Sequence, residues 1–208
     1  MTTSTTLTTT RRALHAVAER LVAGPQYAAA GDIRLAVRPG GIGGWLPASS
    51  AIIGTELVAG EARYPLRGSL SELAAAAGIT ARDLRDVYSG SPDFATDEPV
   101  DVDPDAAASI LRAFELGDAA LRALAPTQER VLWPEHFDVG VTVAEVNYGV
   151  SPGDALIEEP YAYVGPWVVP AGPFWNQPFG AARVMTELPT ERDVLDFFVA
   201  GRSALPAG

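Results

Sequence analysis

DPDAAASILRAFELGDAALRAL, residues 103–124, is the stretch on which the reading of the fold turns. Asp103 has the side chain of an N-cap, Pro104 the fixed φ that suits the first helical position, and Asp105 a charge that favours the positive end of a helix dipole. Ala107, Ile110, Leu111, Phe114, Gly117, Leu121 and Leu124 then recur at helical spacing, which predicts one amphipathic helix running to about Leu124. On both sides of it the pattern changes to strands. The resulting order of helix, strands, helices, strands and helix predicts an α+β fold: an antiparallel β-sheet packed with several helices, with a β-rich C-terminal half.

The acids before this helix, in PDFATDEPVDVDPD (92–105), invite another reading, because Asp101, Asp103 and Asp105 alternate as in a calcium loop. The sixth position lacks Gly, however, and Arg112 stands where an EF-hand needs a bidentate Glu, so the cap explains Asp103 better.

Towards the N-terminus, residues 1–10 hold seven Thr and little to bury, and read as a disordered tail; residues 11–208 read as a single globular domain. Leu14, Val17, Ala18, Leu21 and Val22 predict a first helix over Arg11–Ala23 that Gly24-Pro25 should stop, with His15 partly packed at the edge of its stripe. Asp32–Arg38, Ile52–Val58 and Glu61–Leu66 read as strands in antiparallel hairpins. RPGGIGGWLP (38–47) lacks the strand-glycine-helix context of a phosphate loop, so its glycines are read as hairpin or loop positions. SLSELAAAAGITARDLRDVYSG (69–90) has the spacing of a helix-turn-helix, yet Asp83 and Asp86 cancel Arg82 and Arg85 on the reading helix. Thr80 with Asp83 is read instead as the start of a packing helix that carries Leu84, Val87 and Tyr88.

Composition removes whole chemistries. All 15 basic residues are Arg, there is no Cys, and His15 and His136 are the only imidazoles. Schiff bases, the P-loop lysine, thiol nucleophiles, disulfides, thiolate metal sites and a three-histidine zinc site within one chain are thereby excluded. The net charge of −11 and a pI near 4.5 argue against nucleic acid and anionic membranes as partners. No apolar run is long enough for a membrane span and no signal peptide stands at the start, which places the chain in the cytoplasm.

On the C-terminal side of the helix, nine of the 17 aromatics fall between Trp133 and Phe179, among Pro and Gly, and a final helix is predicted from about Thr190 to Gly201. VLWPEHFDVGVTVAEVNYGV (131–150) holds the one concentration of catalytic side chains near a His. A regular strand from Glu135 puts Glu135, Phe137, Val139, Val141, Val143 and Glu145 on a core face, and His136, Asp138, Gly140, Thr142 and Tyr148 on the other. His136 and Asp138 then form a dyad able to act as general acid or base, while Glu135 points away. The same pair suits two ligands of a divalent metal, with a third from Asp154, Glu158 or Glu159. Tyr161, Tyr163, Trp167, Phe174, Trp175, Asn176 and Gln177 join Trp133 and Tyr148 as the lining of a small-molecule pocket, or as core. Residues 131–182 contain no Arg and six acids, which favours a neutral or cationic ligand.

LWPEHFDVGVTV (132–143), EVNYGVSPGDA (145–155), EPYAYVGPW (159–167) and FWNQPFGAARV (174–184) resemble a family of uncharacterised actinobacterial proteins. The opening TRRALHAVAERLVAGPQYAAAGDIRLAV (10–37) and the 101–124 helix fit it too. The resemblance implies a high-G+C actinobacterial source and a stand-alone cytoplasmic domain, brings no reaction or catalytic residue with it, and weakens the DNA-binding reading. The expectation is a small-molecule-binding protein or a cofactor-independent acid/base enzyme. Its rivals are a non-catalytic interaction protein, such as a homodimer, and a metal-dependent hydrolase.

Overall fold

The computed structural model of the protein describes residues 4–47 and 49–206. In chain order the elements are α1 (Ser4–Val17), a π-helical stretch (Ala18–Ala23), α2 (Gly24–Ala30), β1 (Leu35–Arg38), β2 (Gly41–Gly44), β3 (Ala51–Ile53), β4 (Glu56–Ala59) and β5 (Ala62–Pro65). Then follow α3 (Leu70–Ala77), α4 (Pro104–Leu124), β6 (Val131–Trp133), β7 (Asp138–Val143), β8 (Val146–Ser151), β9 (Tyr161–Pro166), β10 (Ala181–Val184), a 3-10 turn (Met185–Glu187) and α5 (Glu191–Ser203).

The strands form one ten-stranded antiparallel sheet in the order β10-β9-β8-β7-β6-β1-β2-β3-β4-β5. Two meanders, β1 to β5 and β6 to β10, therefore run outward in opposite directions from a central join where Leu35 pairs with Leu132. The predicted α+β fold is observed. α4 is the long return connection and lies across β1, β2, β7 and β8 on one face of the sheet. Leu35, Ile42, Ile52, Leu57, Leu132, Val139, Val150 and Val164 project to that face and are buried beneath the helices.

The cap anticipated for α4 forms, and α5 has one as well. Asp103 Oδ1 accepts from the Ala106 N–H at 2.9 Å, and Thr190 and Asp193 make a reciprocal capping box. The predicted stripe of α4 is buried up to Leu121, and Phe114, fully buried, meets the Phe137 ring edge-on at 5.5 Å. No helix among the described residues is long and apolar enough to cross a membrane.

Three expectations are corrected. The Thr-rich segment is helical from Ser4 rather than a disordered tail, because Leu7 and Thr10 are buried and Thr10 Oγ1 accepts from the Asp103 N–H; residues 1–3 lie outside the described residues. Gly24-Pro25 does not stop the first helix, which continues to Ala30 and ends at Gly31 in the left-handed region. Pro25 has no N–H for the carbonyl of Leu21, and the wider π turn ahead of it releases carbonyls to outside donors. Ser50 Oγ donates to Leu21 O at 2.6 Å, and the Arg82 N–H to Arg20 O at 3.0 Å. At Gly24 the crossing chain is so close that a Cβ would lie 2.3 Å from Arg82 O.

That crossing explains the third correction. Residues 79–84 are not helical, so there is no second helix of a helix-turn-helix and no packing helix at Thr80. Asp83 accepts from the Arg85 N–H and pairs with the buried Arg20 at 3.3 Å, while Leu84 is fully buried in the core. The hairpin reading of the glycines at 40–44 holds, with Gly41–Gly44 forming strand β2 between β1 and β3.

Candidate functional site

The parity of two turns decides which side chains meet. The strand expected from Glu135 begins only at Asp138, because Pro134–Phe137 is the connection between β6 and β7. Phe137 takes a positive φ of 52° and gives its N–H to Trp133 O at 2.7 Å. A bulky residue in that region is strained, and packing holds it there. The Phe137 ring is buried between Phe114 and the His15 imidazole, which stacks on it at 4.8 Å and bonds Pro134 O through Nε2 at 2.5 Å. As a carbonyl is the partner, Nε2 carries the proton. Burial first, and to a lesser degree the charges of His136 and Arg11, lower the His15 pKa to about 4 against the donation to Pro134 O.

The second turn is Ala144-Glu145, both residues with positive φ, as a two-residue hairpin requires. Val141 pairs with Tyr148 across it, so Tyr148 shares the valine face instead of the face of Asp138. Its ring is buried and meets Phe198 of α5 edge-on, in the core.

The face of the sheet opposite α4 carries Trp133, Asp138, Thr142, Asn147, Ser151, Tyr161 and Tyr163. They line a cleft of two lobes, about 320 and 810 Å³, that share Glu135, His136, Asp138, Asn147 and Tyr163. The smaller lobe is bounded by Trp133, and the larger by Tyr161, Trp167 and Phe179. Both sizes suit a small organic molecule. A third cavity of about 760 Å³ lies between α1, α4 and the 3-10 turn, where Ser4 bonds Glu158 and Thr186 bonds Glu159.

Asp138 and Tyr163 form the floor where the lobes meet. Tyr163 lies flat across two cross-strand glycines, Gly140 and Gly149, and its O–H donates to Asp138 Oδ2 at 2.5 Å. A Cβ on Gly149 would sit 2.5 Å from Tyr163 Cζ and 2.6 Å from Val139 O. Gly149→Ala is therefore expected to push the ring off Asp138 and to cost about 1–3 kcal/mol, the usual range for overpacking. Urea denaturation reads this, and unchanged stability would show that the ring does not need the glycine.

Burial raises the Asp138 pKa, against the opposing effects of the Tyr163 hydrogen bond and the nearby His136. Its Oδ1 is sealed and has no hydrogen-bond partner among the described residues. Burial and the same carboxyl hold the Tyr163 phenol far above its usual range, so it stays a donor. At the far end of the larger lobe, burial raises the Asp154 pKa, but the donors Tyr161 O–H at 2.6 Å and the N–H groups of Ile157 and Leu156 outweigh it, so the carboxyl stays ionised.

The expected residues divide accordingly. Trp133, Asp138, Tyr161, Tyr163 and Trp167 gather at the cleft, and His136 stands exposed at its rim. The His136–Asp138 dyad is corrected: with His136 in the turn, its Nε2 pairs with Glu135 Oε1 at 3.1 Å, a residue that strand alternation placed on the other face. Trp175 and Asn176 lie away from the cleft. Trp175 packs edge-on against Phe174, which stacks on Phe197, and Asn176 bonds both the N–H and the carbonyl of Ala182, pinning its loop to β10. Asp154 holds Tyr161, Glu158 holds Ser4 and Glu159 holds Thr186, and among the described residues no three His, Asp or Glu are placed to share a metal ion. Phe179 and the glycine pair were missed, although a Gly inside each of the strands DVGVTV and VNYGVS is the sign of something lying against a strand. No family model, no curated protein and no solved structure matches this chain, so the reading of the cleft rests on its own geometry.

Proposed function

We propose that the cleft on the open face of the C-terminal meander binds a small organic molecule, with Asp138 as its polar anchor and acid/base group and Tyr163 as the donor that orients it. One observation carries this reading: a carboxyl group at the floor of both lobes, buried, with one oxygen unpartnered. Such a group costs stability, and a perturbed titratable group in a cleft is the usual mark of a working site.

The test is Asp138→Asn. A carboxyl whose folded pKa is raised penalises the folded state once pH exceeds the ordinary carboxylate range, and the penalty grows until pH passes its own raised value. Asn keeps an acceptor for Tyr163 without the charge. The variant is expected to be at least as stable as the parent near neutral pH, to lose that advantage below about pH 4, and to lose any bound organic mass seen on the parent by native mass spectrometry. A markedly less stable variant would make Asp138 a structural residue instead.

A second reading has its own observation. Leu156, Trp167 and Val168 are 59%, 66% and 84% exposed near the mouth of the larger lobe, which suits a protein interface, as in a homodimer. Sedimentation against concentration, with Trp167→Ser as the control, separates association there from ligand binding.

A further inference from the structure

Resting on the reading of the cleft as a small-molecule site, we infer that its ligand is a short neutral oligosaccharide, laid along the open face of the sheet with its sugar rings stacked on Trp133 at one end and Trp167 at the other. The four tryptophans divide by what covers them. Trp45 lies under the Arg34 guanidinium at 4.7 Å and Trp175 packs edge-on against Phe174, whereas Trp133 and Trp167 are 37% and 66% exposed and have no ring or cation partner among the described residues. The two bare indoles are the two that line the cleft, one in each lobe. By register Trp133 is level with Asp138, and Trp167 follows Pro166, which is joined through Val146 to Val143. Their attachment points are thus three strands and about five residues apart, roughly 20 Å across the sheet, more than one small ring can bridge.

Between the indoles stand accessible hydrogen-bonding groups, for Asn147 and Glu135 line both lobes. Thr142 Oγ1 donates to Asn147 Oδ1 at 2.8 Å, which leaves the amide N–H groups of the exposed Asn147 unengaged among the described residues. Glu135 Oε1 pairs with His136, and Oε2, on a side chain 33% exposed, is an open acceptor. A hydroxyl both donates and accepts, so neighbouring hydroxyls of a sugar ring engage such a donor and such an acceptor together. The faces of the same ring are C–H surface, which the negative face of an indole attracts. A purely apolar ligand would strip water from Asn147 and Glu135 and give nothing back. An anionic sugar is disfavoured, since Glu129, Glu135, Asp138 and Asp154 line the lobes against the one imidazole of His136. Pyranose rings joined through equatorial bonds form a straight ribbon with both ring faces bare, the form that reaches from one indole to the other.

The experiment titrates the full chain with cellotetraose, following the four indole N–H signals by NMR, with the protonated glucosamine tetramer and benzyl alcohol as comparison probes. Cellotetraose is expected to move the signals of Trp133 and Trp167 and to leave those of Trp45 and Trp175 in place. Trp133→Ala and Trp167→Ala are each expected to weaken its binding roughly tenfold or more, and Trp→Tyr at either position to restore most of the loss. Asn147→Ala is expected to weaken it about fivefold with both indole shifts retained. Movement of one cleft indole alone overturns the spanning ligand. Tighter binding of the cationic tetramer overturns the neutral assignment. If benzyl alcohol moves the cleft signals and cellotetraose does not, the sugar is overturned while the cleft stands as a small-molecule site. No movement of these signals with any probe overturns both the assignment and the reading on which it rests.

Discussion

Phe114→Ala is expected to lower the unfolding free energy by about 3–5 kcal/mol, the largest single effect anticipated here. The side chain sits in the body of α4, fully buried among the core residues packed on the sheet. Its ring also braces Phe137, the strained residue that closes the β6–β7 turn, so the loss is paid at the cleft as well as in the core. Against the roughly 5–15 kcal/mol of a typical domain, this leaves little reserve. Urea denaturation measures it, with Phe114→Leu as a milder control expected to cost under about 1.5 kcal/mol. A double-mutant cycle with Phe137→Leu should return a coupling of about 0.5–1.5 kcal/mol, and additive losses would sever α4 from the turn.

The second large effect depends on pH. His15 stays neutral in the fold down to about pH 4, whereas in the unfolded chain it takes up a proton near its ordinary value of 6.5. As pH falls, the unfolded state therefore binds the proton first. The contribution is fully present above about pH 6.5 and is lost on the way down to about pH 4, on the order of 3 kcal/mol in total. Gln at this position can still donate to Pro134 O but does not titrate. His15→Gln should thus be less stable than the parent above about pH 7, where stacking on Phe137 is lost, and the gap should close or reverse near pH 4. Buried Glu19 and Asp138, whose pKa values shift upward mainly through burial, are common to both proteins and cancel in the comparison. Parallel pH profiles would show that the imidazole is freely solvated.

What could be read from residues alone follows the range of the forces involved. α4 and α5 were found within a residue or two because their signals are local: Asp103-Pro104-Asp105 acts within the first turn of α4, and the apolar residues of each helix recur at its own period. Thr80–Tyr88 failed because a good local cap lost to a tertiary demand, the supply of an N–H to a carbonyl released by the π turn. At the cleft the residue types were right and half of the partners wrong. Alternation carried through Ala144-Glu145 sends Tyr148 outward, and only a turn with two positive φ values, on residues that do not advertise it, sends it into the core. A single turn likewise exchanged the partner of His136, and the removal of Trp175 and Asn176 from the lining depends on a loop pinned to β10 by contacts no pattern encodes.

The join between the meanders has a kinetic consequence. Every neighbouring pair of strands is consecutive in sequence except β1 and β6, which touch at one register pair with α3 and α4 threaded between them. Hairpins of near neighbours zip in microseconds, and the entropy of closing a long loop is met once for the whole sheet rather than at each strand. Each meander is thus free to assemble on its own half of α4, and the Leu35–Leu132 seam is the contact that must wait for both. The rate-limiting ensemble of folding then holds two ordered wings and an open middle, so changes at the seam should speed unfolding while leaving the folding rate nearly untouched.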